Sequence, residues 1–566
     1  MSGDSPGTDL AAATAERDDE HLVADAAGAA RGADDAEARA DAGERTLPAL
    51  GAGSHSATID AAITAAAAAH PDKPAVIDPA HRLTYRELDT ATAELAAGLV
   101  AVGIGTGTRV GLLAPNNTGW VRTALALTRI GAVLVPLSTL LTPPELLAQL
   151  RTAAVQVLIA AEEFRGHRYL DDLRTALDSP LTAPILHPEL PSLRTVLTSD
   201  EAAALRGDTT AVARALATAV TPADPLTILF TSGSRGAPKG VIHTHGSALG
   251  AVRAGLADRC ITAETRLYLP MPFFWVGGLG GGILSALLAG ATLVTEEIPD
   301  PGSTLRLLER EGVTLFRGWP DQAQALAREA ETVGADLSAL RPGSLEALLP
   351  PELRSRPGAR ANLFGMTESF GPYCGYPADT DMPERAWGSC GRPFPGTELR
   401  IDAPAPGEIG EILIRGPHIL RGLRGRTREE LFTRDGFYRT GDLGRLDDAG
   451  FLFYHGRSDD MVKVSGATVY PGEVERALRS LPAVTQAYVT DLPGPRIAAA
   501  VVCRTDTSAA ELRSAARGVL SAFKVPAVWL LLDSDDLVPR GGTGKVDLPA
   551  LRALLDARGT TARSSR

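Results

Sequence analysis

From Ile59 onward the chain alternates between two apolar patterns. Residues 59–70 and 85–103 place apolar side chains at helical spacing, the second through Leu88, Leu95, Leu99 and Val102. Between them run short, nearly continuous apolar blocks at 74–78, 109–114 and 132–136, which predict strands, with a helix at 120–130 before the last. Strands alternating with helices of this size predict an α/β fold with a mostly parallel sheet. The alternation continues to about Tyr454 and is broken by a charged, glycine-led stretch, Gly456-Arg457-Ser458-Asp459-Asp460. An α+β segment follows, with predicted helices at 471–481 and 509–523 and strands at 486–489 and 497–502. The expected organisation is a tail at 1–51, a large multi-layer α/β domain at 52–457 and a small α+β domain at 461–556, joined by a hinge. No fixed-period repeat interrupts it.

Charge sharpens the outline. The net charge is −12, and residues 1–45 hold 12 acidic residues and 4 arginines, a net of −8 that leaves −4 for all the rest. The first 51 residues have almost no large apolar side chain and predict a disordered acidic tail. An acidic balance argues against nucleic-acid binding. No apolar run is long enough to span a bilayer, and the start lacks the basic and apolar regions of a secretory signal. Cys260, Cys374, Cys390 and Cys503 are too scattered for a disulfide framework or a zinc site, which points to a reducing, cytoplasmic setting.

Five motifs carry chemistry. A predicted strand at 226–230 enters Thr231-Ser232-Gly233-Ser234-Arg235-Gly236-Ala237-Pro238-Lys239, small and hydroxyl residues whose backbone N–H groups can approach phosphate oxygens, with Lys239 adding charge. The spacing is not that of a Walker A loop. Phe364-Gly365-Met366-Thr367-Glu368 offers a flat ring for a base and a carboxylate for Mg²⁺. Thr440-Gly441-Asp442 sets a carboxylate on a tight turn, Arg457 supplies a cation for oxyanions, and Lys545 follows a glycine-rich run.

The five occur in one order over more than half the chain, and with them the chain resembles the adenylate-forming superfamily: acyl-CoA synthetases, peptide-synthetase adenylation domains and luciferases. Lesser motifs, such as Gly131-Ala132-Val133-Leu134-Val135-Pro136, add to the resemblance. It implies that Thr231, Ser232, Gly233, Ser234 and Lys239 wrap the ATP phosphates and that Phe364 stacks on adenine, bordered by residues 343–345. It further implies that Thr367 touches the α-phosphate, Glu368 holds Mg²⁺, and Asp442 binds the ribose with Arg457 beside it. Asp459 takes the hinge position, Lys545 bridges the substrate carboxylate and α-phosphate, and Ser465-Gly466 lies on the face that meets the thiol. Arg235 departs from the threonine usual in that loop, and Phe364 from the usual tyrosine.

The stretch Phe273-Phe274-Trp275-Val276-Gly277 matches the acid pocket of these relatives, with Phe274, Trp275 and Gly277 as candidate lining residues, although core packing would explain the aromatics too. Amino-acid-activating relatives carry an aspartate where Trp275 stands, and an indole cannot neutralise an ammonium. The resemblance therefore implies a compact carboxylic acid, aromatic or short to medium in chain, activated with ATP and Mg²⁺ and passed to coenzyme A. A separate carrier protein or an amine is the alternative acceptor, and nitrite activation for diazotisation an alternative chemistry. An inactive nucleotide-binding scaffold would be expected to lose its charged groups first, yet Glu368, Asp442, Arg457 and Lys545 are all present.

Overall fold

A computed structural model of the chain describes residues 57–231, 239–458, 462–464, 467–469, 471–493, 496–504, 507–520, 524–541 and 544–561. The tail at 1–51, the loop residues Ser232, Gly233, Ser234 and Arg235, the expected hinge residue Asp459 and Ser465-Gly466 lie outside these residues.

The short apolar blocks become strands because both of their faces are covered. Val133–Pro136 and Val157–Ala160 are buried at every position, the mark of a parallel sheet sandwiched between helices. In chain positions, the seven-stranded sheet runs Gly422–Leu423, Lys239–Thr244, Pro225–Thr231, Val133–Pro136, Arg109–Leu113, Val157–Ala160, Thr195–Thr198, and its last five members are parallel. A five-stranded sheet places Leu315–Phe316, Arg266–Tyr268, Thr292–Val294 and Pro74–Ile77 in parallel, with Arg82–Thr84 antiparallel at its edge.

Helix Tyr85–Ala101 starts from a capping box in which Thr84 and Glu87 satisfy each other's backbone N–H groups. It buries Tyr85, Leu88, Leu95 and Leu99, and the Tyr85 hydroxyl donates to the carbonyls of Ala286 and Ala291 at 2.9 and 2.6 Å. Val102, the expected last member of that stripe, is instead the cap and 52% exposed, because the helix stops before its turn reaches the core. Helix Thr118–Arg129 begins two residues before the expected start, because the Asn117 side chain accepts from the Trp120 N–H and caps it.

Beyond the parallel sheets lie a three-stranded sheet, Phe364–Met366, Gly371–Gly375 and Arg392–Pro393, and a four-stranded antiparallel one, Glu398–Asp402, Gly410–Arg415, Tyr438–Leu446 and Leu452–Arg457. The C-terminal portion has its own core, with Val474, Leu478, Val501 and Trp529 almost fully buried. Helix Pro471–Arg479 packs there on a sheet ordered Val484–Leu492, Arg496–Cys503, Val528–Leu532, Thr560–Thr561. The large N-terminal and small C-terminal α/β parts match the expected fold class. The two strands of this sheet predicted at 486–489 and 497–502 both outrun those lengths, and Leu492 pairs directly with Arg496. Among the described residues no helix is long and apolar enough to cross a membrane.

Candidate active site

Strands Pro225–Thr231 and Lys239–Thr244 form an antiparallel hairpin, with Thr231 opposite Lys239 at the end where the chain turns back. The expected phosphate loop is the connection between those two residues. The hairpin is set firmly, since the Thr227 hydroxyl is fully buried and donates to the Leu134 carbonyl at 2.8 Å.

The same hairpin holds the next motif. His243 Nε2 lies 2.7 Å from the carbonyl oxygen of Thr367. A carbonyl can only accept, so Nε2 carries the proton and Nδ1 is free to accept from Ser247 Oγ at 3.3 Å. The Phe370 ring meets the imidazole edge-on at 4.9 Å. Burial pushes the His243 pKa down to about 4 against the weaker pull of the Thr367 bond, so this histidine is a neutral strut, not an acid. Its neighbour His245 is likewise pushed down to about 4 by burial.

These two histidines have a measurable consequence. Each has a folded pKa below its unfolded value of 6.5, so the unfolded chain binds the extra proton and stability is lost as pH falls from 6.5 towards 4. Between pH 6.5 and 5 each histidine is expected to remove about 2 kcal/mol. His245→Asn keeps an acceptor for the Ile59 N–H, now bonded to Nδ1 at 3.2 Å, but cannot titrate. Urea midpoints measured across that window should fall less steeply in the variant; identical slopes would contradict the assignment.

Thr367 and Glu368 sit on the tight turn between strands Phe364–Met366 and Gly371–Gly375. The strands approach so closely that a Cβ on Gly365 would lie 2.1 Å from the Gly371 carbonyl oxygen, which is why a glycine stands in the motif. Phe370 closes the turn with a left-handed backbone, φ 53°. The Glu368 carboxylate is buried, with the Tyr438 hydroxyl 3.5 Å away. Burial raises its pKa, and the charges of Lys239 and Arg457 pull the other way. Three separately predicted residues thus share one electrostatic neighbourhood, joined by Tyr438.

Asp442 and Arg457 are register partners on adjacent antiparallel strands, and their side chains pair at 3.2 Å. Thr440 fixes the turn beneath them, donating to the Ile412 carbonyl at 2.6 Å and accepting from the Asp442 N–H at 3.0 Å. Gly441 holds φ 71°, and a Cβ there would press within 2.9 Å of the Arg457 guanidinium. Phe364 is half-buried between Tyr373 and Tyr454, at ring distances of 5.5 and 4.7 Å. Past Arg457, a cleft of about 330 Å³ opens towards helix Pro471–Arg479, lined by Tyr454, Arg457, Arg476, Arg479, Asp491 and Arg552.

The candidate acid pocket divides. Phe273 is fully buried against Trp120 at 5.4 Å and belongs to the core, and Phe274 is only 6% exposed. Trp275 is half-buried, with Phe274 edge-on at 5.7 Å and Trp319 at 5.8 Å. Trp319 had no local signal in the sequence, since it follows a strand that is 40 residues further along. A Cβ on Gly277 would lie 2.8 Å from Met271 Sδ, so this wall is tight. The segment then winds as a π-helix, Leu279–Leu284, an uncommon backbone that recurs at functional sites.

Lys545 stands exposed on the loop between strand Val528–Leu532 and helix Leu548–Arg558. The loop's base is a bridge between Arg540 and Val546, and the Gly541 N–H donates to the Lys545 carbonyl at 2.8 Å. All four cysteines are free thiols.

Over most of its length the chain is similar to known proteins. A family model described as AMP-binding enzyme matches residues 63–423, and one described as AMP-binding enzyme C-terminal domain matches 473–545. The chain is 34% identical over 523 residues to the 3-(7a-methyl-1,5-dioxo-octahydro-1H-inden-4-yl)propanoyl:CoA ligase of Mycobacterium tuberculosis, covering 88% of this chain and 99% of that protein. It is 33% identical over 492 residues to a feruloyl-CoA synthase of an Amycolatopsis species, covering 82% and 92%. Among solved structures, an O-succinylbenzoate coenzyme A synthetase from Bacillus subtilis in complex with AMP shares the fold, with a TM-score of 0.72, 24% identity and coverage of 88% and 98%.

Proposed function

Since the chain belongs to the AMP-binding enzyme family, we propose that it activates a compact carboxylic acid, ring-bearing or short to medium in chain, at the site gathered around Glu368 and Asp442. The reaction is an AMP-forming acid–thiol ligation: a carboxylate and ATP give an acyl-adenylate, and coenzyme A takes the acyl group. The observation that carries the assignment to this site is the buried Glu368 carboxylate beside Tyr438, within reach of the charges of Lys239 and Arg457. The aromatic wall of Phe274 and Trp275 favours a compact acid, and the ring-bearing acyl groups named in the two relatives point the same way.

In the first half-reaction a carboxylate oxygen attacks the α-phosphorus and the bond to pyrophosphate breaks. Thr231, Ser232, Gly233, Ser234 and Lys239 hold the phosphates. Phe364 supports the base, Asp442 takes the ribose hydroxyls, and Arg457 orients Asp442. Thr367 meets the α-phosphate, and the His243 bond to its carbonyl keeps that turn in place. The residues suit Mg²⁺, because Glu368 has one neutral hydroxyl neighbour at 3.5 Å and spare oxygen lone pairs. Glu368 would hold the ion, which supplies charge neutralisation for the leaving phosphates. Lys545 reaches in from the small domain to bridge carboxylate and α-phosphate. In the second half the small domain, 461–556, turns about Asp459 relative to the large one, 52–457. That brings Ser465-Gly466 to the adenylate, a thiol attacks the acyl carbon, and AMP leaves. The arginine-lined cleft beyond Arg457 suits the phosphates of coenzyme A.

The test is pyrophosphate release with Mg²⁺-ATP over benzoate, ferulate, phenylacetate, hexanoate, palmitate, alanine and nitrite, each with and without coenzyme A. Release with a compact acid, faster with coenzyme A and accompanied by the acyl-CoA mass, is the expected result. Release without thioester would move the acceptor to a carrier protein or amine, and release with nitrite alone would overturn the acid assignment.

A further inference from the structure

The loop that carries Lys545 is held at its base by side chains outside every motif used above. We propose that Arg540 is a positioning residue for Lys545, anchored by Tyr488 and Asp535, and that this brace serves adenylation and not thioester formation. The proposal rests on the role given to Lys545.

The guanidinium of Arg540 makes three contacts. Nη2 pairs with Asp535 at 2.5 Å and donates to the Tyr488 hydroxyl at 3.2 Å. Nη1 donates to the carbonyl of Gly544 at 3.1 Å. Tyr488 in turn donates its hydroxyl proton to Asp535. Tyr488 lies within strand Val484–Leu492, paired with Ala500, so the anchor is the sheet of the small domain itself. Burial and the Asp535 carboxylate push the Tyr488 pKa up to about 12, which keeps its proton in place at any working pH.

Gly544 immediately precedes Lys545 and has a left-handed backbone, φ 74°. Its carbonyl is held by Arg540, and the carbonyl of Lys545 accepts from the Gly541 N–H at 2.8 Å. The peptide groups on both sides of the Lys545 Cα are therefore tied down, and with them the direction of its Cα–Cβ bond. A lysine on a free glycine loop would search a wide volume with its ammonium. One whose root is fixed needs only to settle its own four torsions. An error of an ångström at such a group can cost about a hundredfold in rate. Arginine suits the task because its rigid fork spreads donors over two nitrogens, Nη2 to Asp535 and Tyr488 and Nη1 to Gly544, whereas a lysine offers its donors from a single point.

A loop contact that only stabilised the fold would lower both half-reactions together, and the separation of the two is the test. Arg540→Met, Arg540→Lys and Lys545→Ala are compared in the full-length enzyme with the best acid of the panel above. Three readouts are taken: acid-dependent ATP–pyrophosphate exchange, acyl transfer to coenzyme A from the synthetic adenylate of that acid, and the melting temperature. In Arg540→Met, exchange kcat should fall about tenfold or more with KM for ATP within about twofold, while transfer from the adenylate stays within about twofold. Arg540→Lys, which keeps one contact of the fork, should fall between it and the unaltered enzyme. If Lys545→Ala abolishes exchange and Arg540→Met leaves it intact, the brace is refuted. It is equally refuted if both half-reactions fall in parallel with the melting temperature. If Lys545→Ala itself leaves exchange intact, the role of Lys545 fails first, and the proposal fails with it.

Discussion

Lys545→Ala should lower acid-dependent pyrophosphate release by about a thousandfold, while transfer from a supplied adenylate to coenzyme A stays close to normal. The developing charge in the first half-reaction lies on the α-phosphoryl oxygens, and removing one preorganised donor from such charge costs about 3–4 kcal/mol. That is two to three decades at about 1.4 kcal/mol per decade. The second half-reaction breaks the acyl–phosphate bond from the thiol side and makes no use of this ammonium. Lys545 is exposed and its side chain has no packing role, so the substitution should not disturb the fold. Single-turnover measurement of each half-reaction separates the two. A variant that releases pyrophosphate at the normal rate would remove Lys545 from the mechanism.

The second large effect is expected at Glu368. Glu368→Gln keeps the shape of a buried side chain and its contact with Tyr438, but removes the charge. Adenylation should fall by about a hundredfold, with part of the loss recovered as Mg²⁺ is raised, since the remaining phosphate oxygens can still bind the ion weakly. In the unaltered enzyme burial lifts the Glu368 pKa while Lys239 and Arg457 favour its ionised form, so protonation at low pH should imitate the variant. A Mg²⁺ titration at two pH values reads both effects. An unchanged Mg²⁺ requirement in Glu368→Gln would exclude this carboxylate from ion binding.

What the sequence made legible followed from whether a residue's signal is local. The strand blocks at 133–136 and 157–160 are apolar throughout because both faces are covered, and such runs can be read without a structure. Val102 was misplaced because helical spacing says nothing of where the helix stops. Thr118 was missed because a cap from Asn117, not an apolar residue, starts that helix. Glu368, Asp442 and Arg457 were singled out one by one through their motifs, but the hydroxyl of Tyr438 beside Glu368 comes from 70 residues away. The His243–Thr367 bond spans 124 residues, and the Trp275–Trp319 contact joins two loops after different strands. Arg540 lies five residues before Lys545, yet its partner Tyr488 lies 52 residues earlier, across a sheet register that only folding defines.

The pairing of Asp442 with Arg457 has a further meaning. Arg457 is the last residue of strand Leu452–Arg457, after which the chain leaves the large domain's sheet. A ribose whose hydroxyls donate to Asp442 would therefore be one ion pair away from the point where the chain exits. With Asp442 as the proposed ribose carboxylate, nucleotide occupancy and the end of this strand are coupled through that ion pair.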